Sequence, residues 1–154
     1  MSERAERYKR IAEQLAELFR KTTDPTARMA TAAALLSGKM KHHFWVGFYR
    51  LVDGDLVVGP YQGPLACALL PRHEGVCWAA IDRNEPVLVP DVHEFPGHVA
   101  CDSRSQSEVV VPVHDGSGQV IAVLDVDSDK PNAFDQSDVK GLQAIAALIG
   151  KGCF

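Results

Sequence analysis

The first third of the chain carries apolar residues at helical spacing. Within Glu3–Arg20 they recur every three or four positions with charged residues between them, which predicts an amphipathic helix. Asp24-Pro25 predicts a new start, because aspartate caps a helix and proline suits its first position. The second predicted helix covers Pro25–Leu36 and stops at Ser37-Gly38. Two helices therefore precede the rest of the chain.

The remainder alternates short β-type segments with turn formers. Asp53-Gly54 and His114–Gly118 each separate two such segments and predict hairpins. The predicted strands are Phe44–Val52, Asp55–Pro60, Cys67–Leu70, Val87–Val89, Glu108–Val113 and Gln119–Val126, and the remaining predicted helices are Gly75–Arg83 and Gln136–Ile149. Because hairpins dominate, the pattern predicts the α+β class, with a mainly antiparallel central sheet flanked by the N-terminal helices and a C-terminal helix.

One segment, Pro90–Pro112, departs from both periodicities. It packs histidines, carboxylates and a cysteine around the turn formers Pro96-Gly97 and then enters an apolar run. This pattern predicts a polar loop that leads into a strand, and such loops often carry chemistry. Cys101 is the only strong nucleophile in the segment, so it is the candidate centre of a site.

Composition narrows the function classes. The 154 residues predict one domain, and 46% hydrophobic with 23% charged residues are ordinary values for a globular protein. A net charge of −4 offers no basic footprint for nucleic acid. The N-terminus has no secretory pattern and the apolar runs are too short for a membrane span, so we expect a cytoplasmic protein whose cysteines are thiols at rest.

Four cysteines occur without a C-x-x-C pair: Cys67, Cys77, Cys101 and Cys153. Three interpretations of Cys101 compete: a redox nucleophile, an inert buried thiol, and a zinc ligand together with His93 and His98, with Cys67 or Cys77 as the fourth ligand. The zinc spacing matches no common structural pattern. For Cys153, beside the C-terminus, the inert thiol is the better interpretation.

The charges around Cys101 act in opposite directions. His98 and Arg104 would favour its thiolate. Four nearby carboxylates would instead raise the pKa of the Cys101 thiol: Asp91, Glu94, Asp102 and Glu108. A carboxyl group that stays protonated would instead be a proton donor to a substrate oxygen. The sequence leaves this balance open.

Two further pairs each share a strand face. Asp125 and Asp127 alternate near a strand end, where spacing alone favours caps of the following turn over a site. Trp45 and Tyr49 form an aromatic face, which is either core or one wall of a ligand cage. The remaining histidines are interpreted as solvated loop residues: His42, His43, His73 and His114.

Taken together, these motifs resemble the free methionine-(R)-sulfoxide reductases, stand-alone GAF-domain enzymes. The motifs that carry the resemblance are WVGFY at Trp45–Tyr49, GPYQGPLAC at Gly59–Cys67, GVC at Gly75–Cys77, PDVHEFPGHVACDSRSQSEVVVP at Pro90–Pro112 and VLDVDS at Val123–Ser128. The resemblance covers nearly the whole chain. It implies a single GAF domain over residues 1–154, a homodimer, and reduction of the free amino acid sulfoxide without a metal or cofactor.

The resemblance also implies roles. Cys101 matches the catalytic cysteine, Cys67 the usual resolving cysteine, and Cys77 an alternative partner that lines the site. The acidic site residues are matched by Glu108, Asp125 and Asp127, and the aromatic wall by Trp45 and Tyr49. Cys101 would become a sulfenic acid and then a disulfide with Cys67, which thioredoxin reduces.

The chain departs from the family pattern near Cys77. Trp78 stands where the family commonly has glycine, and Pro71–Glu74 differs from the usual glycine-arginine pair. The main rival function is a non-catalytic GAF sensor of a small molecule. Such a sensor normally acts on a fused output domain, for which 154 residues leave no room, and it has no need of three cysteines near its pocket.

Overall fold

The computed structural model describes residues 1–151, so Cys153 lies outside the described part. Four α-helices are present: α1 Glu3–Leu18, α2 Pro25–Lys39, α3 Gly75–Arg83 and α4 Gln136–Gly150, with single 3₁₀ turns at Phe19–Lys21 and Val92–Glu94. The strands are β1 Trp45–Val52, β2 Asp55–Gln62, β3 Leu69–Leu70, β4 Val87–Val89, β5 Ser107–His114 and β6 Val120–Ser128. No helix among these residues is long and apolar enough to cross a membrane.

The six strands form one sheet in the order β3-β2-β1-β6-β5-β4, and every neighbouring pair is antiparallel. This confirms the predicted α+β class and the antiparallel sheet. Hairpins join β1 to β2 and β5 to β6, as the turn formers predicted. The side chain of Asp24 accepts a hydrogen bond from the Ala27 N–H, and Pro25 opens α2, so the predicted start of that helix is also confirmed.

Two predicted ends are wrong for local reasons. Ser37-Gly38 do not stop α2, because the helix continues to Lys39 and brings Met40 into the core. Pro60 does not end β2, because the pairing with β1 slips beside it: Gly47 pairs with Tyr61 and Tyr49 with Val58. Proline is tolerated in such a bulge since it needs no ladder hydrogen bond there.

Alternation along the strands gives the sheet two different faces. On one face, side chains such as Val46, Phe48 and Leu124 pack against α1, α2 and α4 in the larger apolar core. On the other, Trp45 and Tyr49 belong to a second core covered by α3 and the loops. The functional candidates lie on this second face, which we call the pocket face, and the first is the helical face.

A buried polar network crosses the helical face. The Tyr8 hydroxyl donates to Asp138 Oδ1 at 2.5 Å and lies 2.9 Å from His43 Nε2. His42 Nε2 lies 2.7 Å from the same Asp138 oxygen, and Arg4 donates to Asp138 Oδ2 at 2.9 Å. The prediction that His42 and His43 are solvated loop residues is therefore wrong, because both form hydrogen bonds within this network.

The other two histidines are nearer to the prediction. His73 is exposed and bonds to Asp82, while its ring lies 4.6 Å from that of Trp78. His114 is half-buried at the end of β5, where it bonds to Asn84.

Candidate active site

Strand register gathers the acidic candidates into one row. Glu108 on β5 pairs with Asp127 on β6, and Asp127 pairs in turn with Trp45 on β1. Asp125, two residues before Asp127, points to the same face because side chains alternate along a strand. The prediction that the two aspartates cap a turn is therefore wrong: both lie within β6.

These side chains border an open cavity whose empty space, including solvent at its mouth, is about 570 Å³. Its floor is the pocket face of β1, β5 and β6, and its walls come from the start of α3 and the loop before β5. Of the eight predicted site residues, seven line it: Trp45, Tyr49, Cys77, Cys101, Glu108, Asp125 and Asp127.

The eighth, Cys67, reaches the cavity through a disulfide. Its sulfur is bonded to that of Cys101, 34 residues away in the chain, and the two Cα atoms are 5.4 Å apart. The structure therefore contains the pairing that the resemblance implies, and these two cysteines are not the resting thiols that the sequence led us to expect. The Tyr49 hydroxyl donates to the Cys67 carbonyl at 3.3 Å and anchors this bridge to β1.

Cys77 is the free cysteine of the described part, and it is buried in the first turn of α3. Burial raises the pKa of its thiol, and the neighbouring Asp125 and Glu108 raise it further. Cys77 is therefore a protonated thiol at neutral pH and a poor nucleophile.

The carboxyl groups of the row titrate unusually. Burial, with the nearby charge of Asp127, raises the pKa of Glu108 to about 8 although a hydrogen bond with Asp125 opposes the shift. Burial also raises the pKa values of Asp125 and Asp127 well above their usual range, helped by Glu108 and by Asp125 respectively. At neutral pH Glu108 therefore mostly holds its proton, which suits a site that donates one.

Asp125 is the least satisfied member of the cluster. It is 5% exposed, and its Oδ1 atom has no hydrogen-bond partner within residues 1–151. A buried carboxylate oxygen without a donor is costly, by about 1–3 kcal/mol or more. A ligand in the cavity that Asp125 lines would satisfy this oxygen if it brought a hydrogen-bond donor or a positive charge.

Trp45 stands at the centre of an aromatic wall. Its ring stacks between Tyr49, 5.9 Å away, and Tyr61, 5.2 Å away. Its indole N–H donates to the Pro64 carbonyl at 3.0 Å, which fixes the ring. Gly47 permits the close packing, because a Cβ there would lie 2.9 Å from the Trp45 ring and 2.2 Å from the Tyr61 Cβ.

The N-terminus of α3 provides the opposite polarity. Gly75, Val76 and Cys77 line the cavity, and the preceding Glu74 makes no side-chain cap. Their free N–H groups and the helix dipole favour an anion. Gly75 has φ +82°, a conformation for which glycine is suited, and a Cβ there would press on Val99 at 3.1 Å. Sequence reasoning missed this anion-favouring turn, whose signal was a Glu-Gly helix start without a capping side chain.

The positive groups proposed to favour a Cys101 thiolate are otherwise engaged. The Arg104 guanidinium binds both oxygens of Asp102 and, with its backbone N–H, holds the pKa of that carboxyl at about 2. Burial lowers the pKa of His98, so its ring is neutral at pH 7, although its Nε2 lies 3.6 Å from Glu108 Oε1.

The zinc set inferred from spacing is not assembled. His93 is exposed and pairs with Asp91 at 2.9 Å, outside the cavity that His98 and Cys101 line. The unusual Trp78 is buried and is not among the described residues that line the cavity.

Comparison with known proteins gives a consistent result. The family model described as the GAF domain matches residues 12–152. The chain is 43% identical to GAF domain-containing protein A of Dictyostelium discoideum, over 94% of this chain and 90% of that protein. It is 42% identical to the free methionine-R-sulfoxide reductase of Escherichia coli, over 81% and 75%. The structure of the Neisseria meningitidis free methionine-R-sulfoxide reductase with its substrate superimposes with a TM-score of 0.92 at 38% identity, covering 98% and 90%.

Proposed function

The chain belongs to the GAF-domain family of free methionine-R-sulfoxide reductases, and on that premise we propose that it reduces free methionine-(R)-sulfoxide through a thiol cycle centred on Cys101. The observation that carries the proposal is the Cys67–Cys101 disulfide beside a cavity whose lining includes the carboxyl groups of Glu108, Asp125 and Asp127. A disulfide there is the oxidised product that this cycle leaves behind.

The first step is attack of the Cys101 sulfur on the sulfoxide sulfur. The sulfoxide oxygen must take up a proton as its bond to sulfur breaks, and Glu108 is the donor we assign. With a pKa of about 8, its carboxyl is mostly protonated at neutral pH. The protonated oxygen passes to the Cys101 sulfur as the new bond between the two sulfur atoms breaks, so methionine leaves and Cys101 becomes a sulfenic acid.

The second step removes that oxygen as water. The Cys67 thiol attacks the sulfenic sulfur, the S–O bond breaks, and the Cys67–Cys101 disulfide forms. Cys67 suits this role because its Cα lies 5.4 Å from that of Cys101. Cys77, the alternative partner, is held as a protonated thiol by burial and by Asp125, so we assign it a lesser role.

We propose that the protein is a cytoplasmic homodimer and that thioredoxin is its reductant. A thiolate of thioredoxin attacks the disulfide, a mixed disulfide forms, and its second thiol releases the reduced protein. The sum is one sulfoxide and one dithiol in, and one methionine, one water and one disulfide out. Light scattering tests the dimer, because a mass near 16.8 kDa would exclude it.

The cavity also accounts for the proposed choice of a free amino acid. Asp125 and Asp127 offer oxygens to the substrate's ammonium group, and Asp125 Oδ1 lacks a partner in the described structure. The uncapped turn at Gly75-Val76 offers N–H groups to the carboxylate. Trp45 and Tyr49 would receive the S-methyl group. A methionine sulfoxide inside a peptide has neither free charge.

Coupled turnover tests the proposal. The protein is incubated with thioredoxin, thioredoxin reductase, NADPH and free methionine-(R)-sulfoxide, and NADPH loss is followed. We expect turnover by the wild type, none by Cys101→Ser, and none with the (S)-epimer or a peptide. Equal rates for wild type and Cys101→Ser would refute the catalytic role and favour a sensor. Mass spectrometry after one turnover without reductant should find the Cys67–Cys101 link, and a Cys77–Cys101 link would reverse the assignment.

A further inference from the structure

Three buried side chains on different elements form a donor set that the proposed cycle does not use as a unit. The Cys77 sulfur from α3, a Glu108 oxygen from β5 and an Asp125 oxygen from β6 all lie within 4.8 Å of one another. Each residue is at most 5% exposed. Acidic side chains in proximity do not by themselves make a metal site, which also needs a donor atom that is free to bind the ion.

The unpartnered oxygen of Asp125 is such an atom. Oδ1 is buried, belongs to a residue that lines the cavity, and receives no hydrogen bond from any described residue. On the helical face, by contrast, every oxygen of the buried Asp138 accepts hydrogen bonds. The Asp125 oxygen is therefore available to a positively charged ligand without breaking an existing interaction.

The chemistry of the donors selects the ligand class. One thiolate and two carboxylates suit Zn²⁺ or Cd²⁺, whereas Mg²⁺ and Ca²⁺ prefer oxygen ligands alone. With Zn–S of about 2.3 Å and Zn–O of about 2.0 Å, tetrahedral donors stand about 3.5 Å apart. The three donor atoms lie within 4.8 Å of one another, so they must move closer to reach that spacing, and water would take the fourth position of the tetrahedron.

We propose that Zn²⁺ or Cd²⁺ binds to Cys77, Glu108 and Asp125 and thereby excludes the substrate from the cavity. The Cys77 thiol and the Glu108 carboxyl release their protons to solvent as their bonds to the metal form, and no residue changes oxidation state. The cation is an inhibitor rather than a cofactor, because it occupies Glu108 and Asp125. Binding is independent of the proposed function, whereas exclusion of methionine sulfoxide rests on it.

Cadmium binding to the oxidised protein tests the site directly. With the Cys67–Cys101 disulfide intact and Cys153 replaced by serine, Cys77 is the only remaining thiol. Titration with Cd²⁺ should produce the ultraviolet absorption of a cadmium–thiolate bond, saturating at one ion per chain. A featureless titration would overturn the proposal.

Variants in the same background separate the ligands from the surface. Cys77→Ser should abolish the absorption, and Asp125→Asn should weaken Cd²⁺ affinity at least tenfold while far-ultraviolet circular dichroism stays unchanged. His93→Ala, which removes an exposed histidine outside the cavity, is the matched control and should titrate like its parent. Unchanged affinity in a folded Asp125→Asn variant would overturn the proposed ligand set.

Competition completes the test without turnover. Free methionine-(R)-sulfoxide should raise the Cd²⁺ concentration needed for half-saturation, whereas its (S)-epimer should have a smaller effect. Metal binding that is indifferent to the sulfoxide would overturn the exclusion step. An enzyme that turns over normally but binds no Cd²⁺ would refute the metal site and leave the proposed function standing.

Discussion

Asp138 on the helical face and Glu108 on the pocket face are both buried, yet their pKa values shift in opposite directions. Asp138 is 0% exposed and Glu108 is 5% exposed. Burial alone would raise the pKa of both. Hydrogen bonds from His42 and Tyr8 outweigh burial at Asp138 and hold its pKa at about 2. Glu108 has carboxyl neighbours instead, and its pKa rises to about 8.

The difference separates a structural network from a site. On the helical face, each oxygen of the buried carboxylate has a donor inside the protein, which is the usual condition of buried polar groups. On the pocket face, Asp125 Oδ1 accepts no hydrogen bond from any described residue, and Asp125 lines the cavity. We infer that the satisfied carboxylate of Asp138 serves stability and that the unsatisfied oxygen of Asp125 is open to a ligand. His43 Nδ1 on the helical face also lacks a partner among the described residues, so the contrast is between these two carboxyl groups and not between the whole faces.

The largest expected contrast is in turnover. Glu108→Gln removes the proposed proton donor while keeping the size of the side chain, so kcat/KM should fall by about 10²–10⁴-fold. At pH 7 the free energy of unfolding should rise rather than fall, because folding takes up a proton on Glu108 that the unfolded chain has lost at that pH, whereas glutamine needs none. The NADPH-coupled assay and a urea melt measure the two effects.

The matched control is Glu94→Gln, an exposed glutamate of the same loop. It should retain full activity and stability. A Glu108→Gln variant as active as this control would refute the assignment of Glu108 as proton donor.

The two faces also differ in how far sequence reasoning reached them. Patterning predicted α3 and β4 with their observed bounds, because Gly75 and Pro86 punctuate short apolar segments. It failed at His42, which bonds to Asp138 96 residues away, and at His43, which bonds to Tyr8 35 residues away. No local pattern records such a partner.

The pocket face was predicted through resemblance more than through spacing. Spacing alone favoured turn caps for Asp125 and Asp127, because a strand end and a strand interior look alike until the neighbouring strand is known. The register with β5, which sets Glu108 beside Asp127, supplies the missing information. The uncapped start of α3 needed the cavity itself to be recognised.

On the helical face, Asp138→Asn should act on stability and leave turnover unchanged. It exchanges a charged acceptor of bonds from Tyr8, His42 and Arg4 for a neutral amide. Hydrogen bonds to charged groups contribute about 1.5–3 kcal/mol, so the free energy of unfolding should fall by about that amount. Asp82→Asn, at an exposed pair with His73, is the control. A large loss of kcat in Asp138→Asn would break the division between the two faces.

Packing around the same network gives a smaller expected loss. Gly141 in α4 faces the Tyr8 ring, and a Cβ there would lie 2.3 Å from Tyr8 Cγ. Gly141→Ala should therefore destabilise the fold by about 1–3 kcal/mol through overpacking. Gly38→Ala in α2 meets no atom within 4 Å and should stabilise by about 0.5–1 kcal/mol. Thermal melts of the two variants that shift in the same direction would contradict this packing argument.

The smallest effect, measured per pH unit, is the opposite pH dependence of the two faces. The pKa of Glu108 is raised from 4.5 to about 8, so its contribution to stability is complete below pH 4.5 and is lost as the pH rises through about 8. The pKa of Asp138 is lowered from 3.8 to about 2, so its contribution is present above pH 3.8 and is lost as the pH falls through about 2. Each group changes the free energy of unfolding by at most about 1.4 kcal/mol per pH unit.

Urea melts in chelator-containing buffer from pH 2 to 9 distinguish the two contributions. Glu108→Gln should flatten the decline in the free energy of unfolding between pH 4.5 and about 8, and leave the decline below pH 3.8 as in the wild type. Asp138→Asn should do the reverse. Both variants flattening the same side would mean that the carboxyl groups titrate alike. Burial would then outweigh hydrogen bonding in setting the pKa of Asp138. The proposed difference between a carboxyl group with donors and one without them would be refuted.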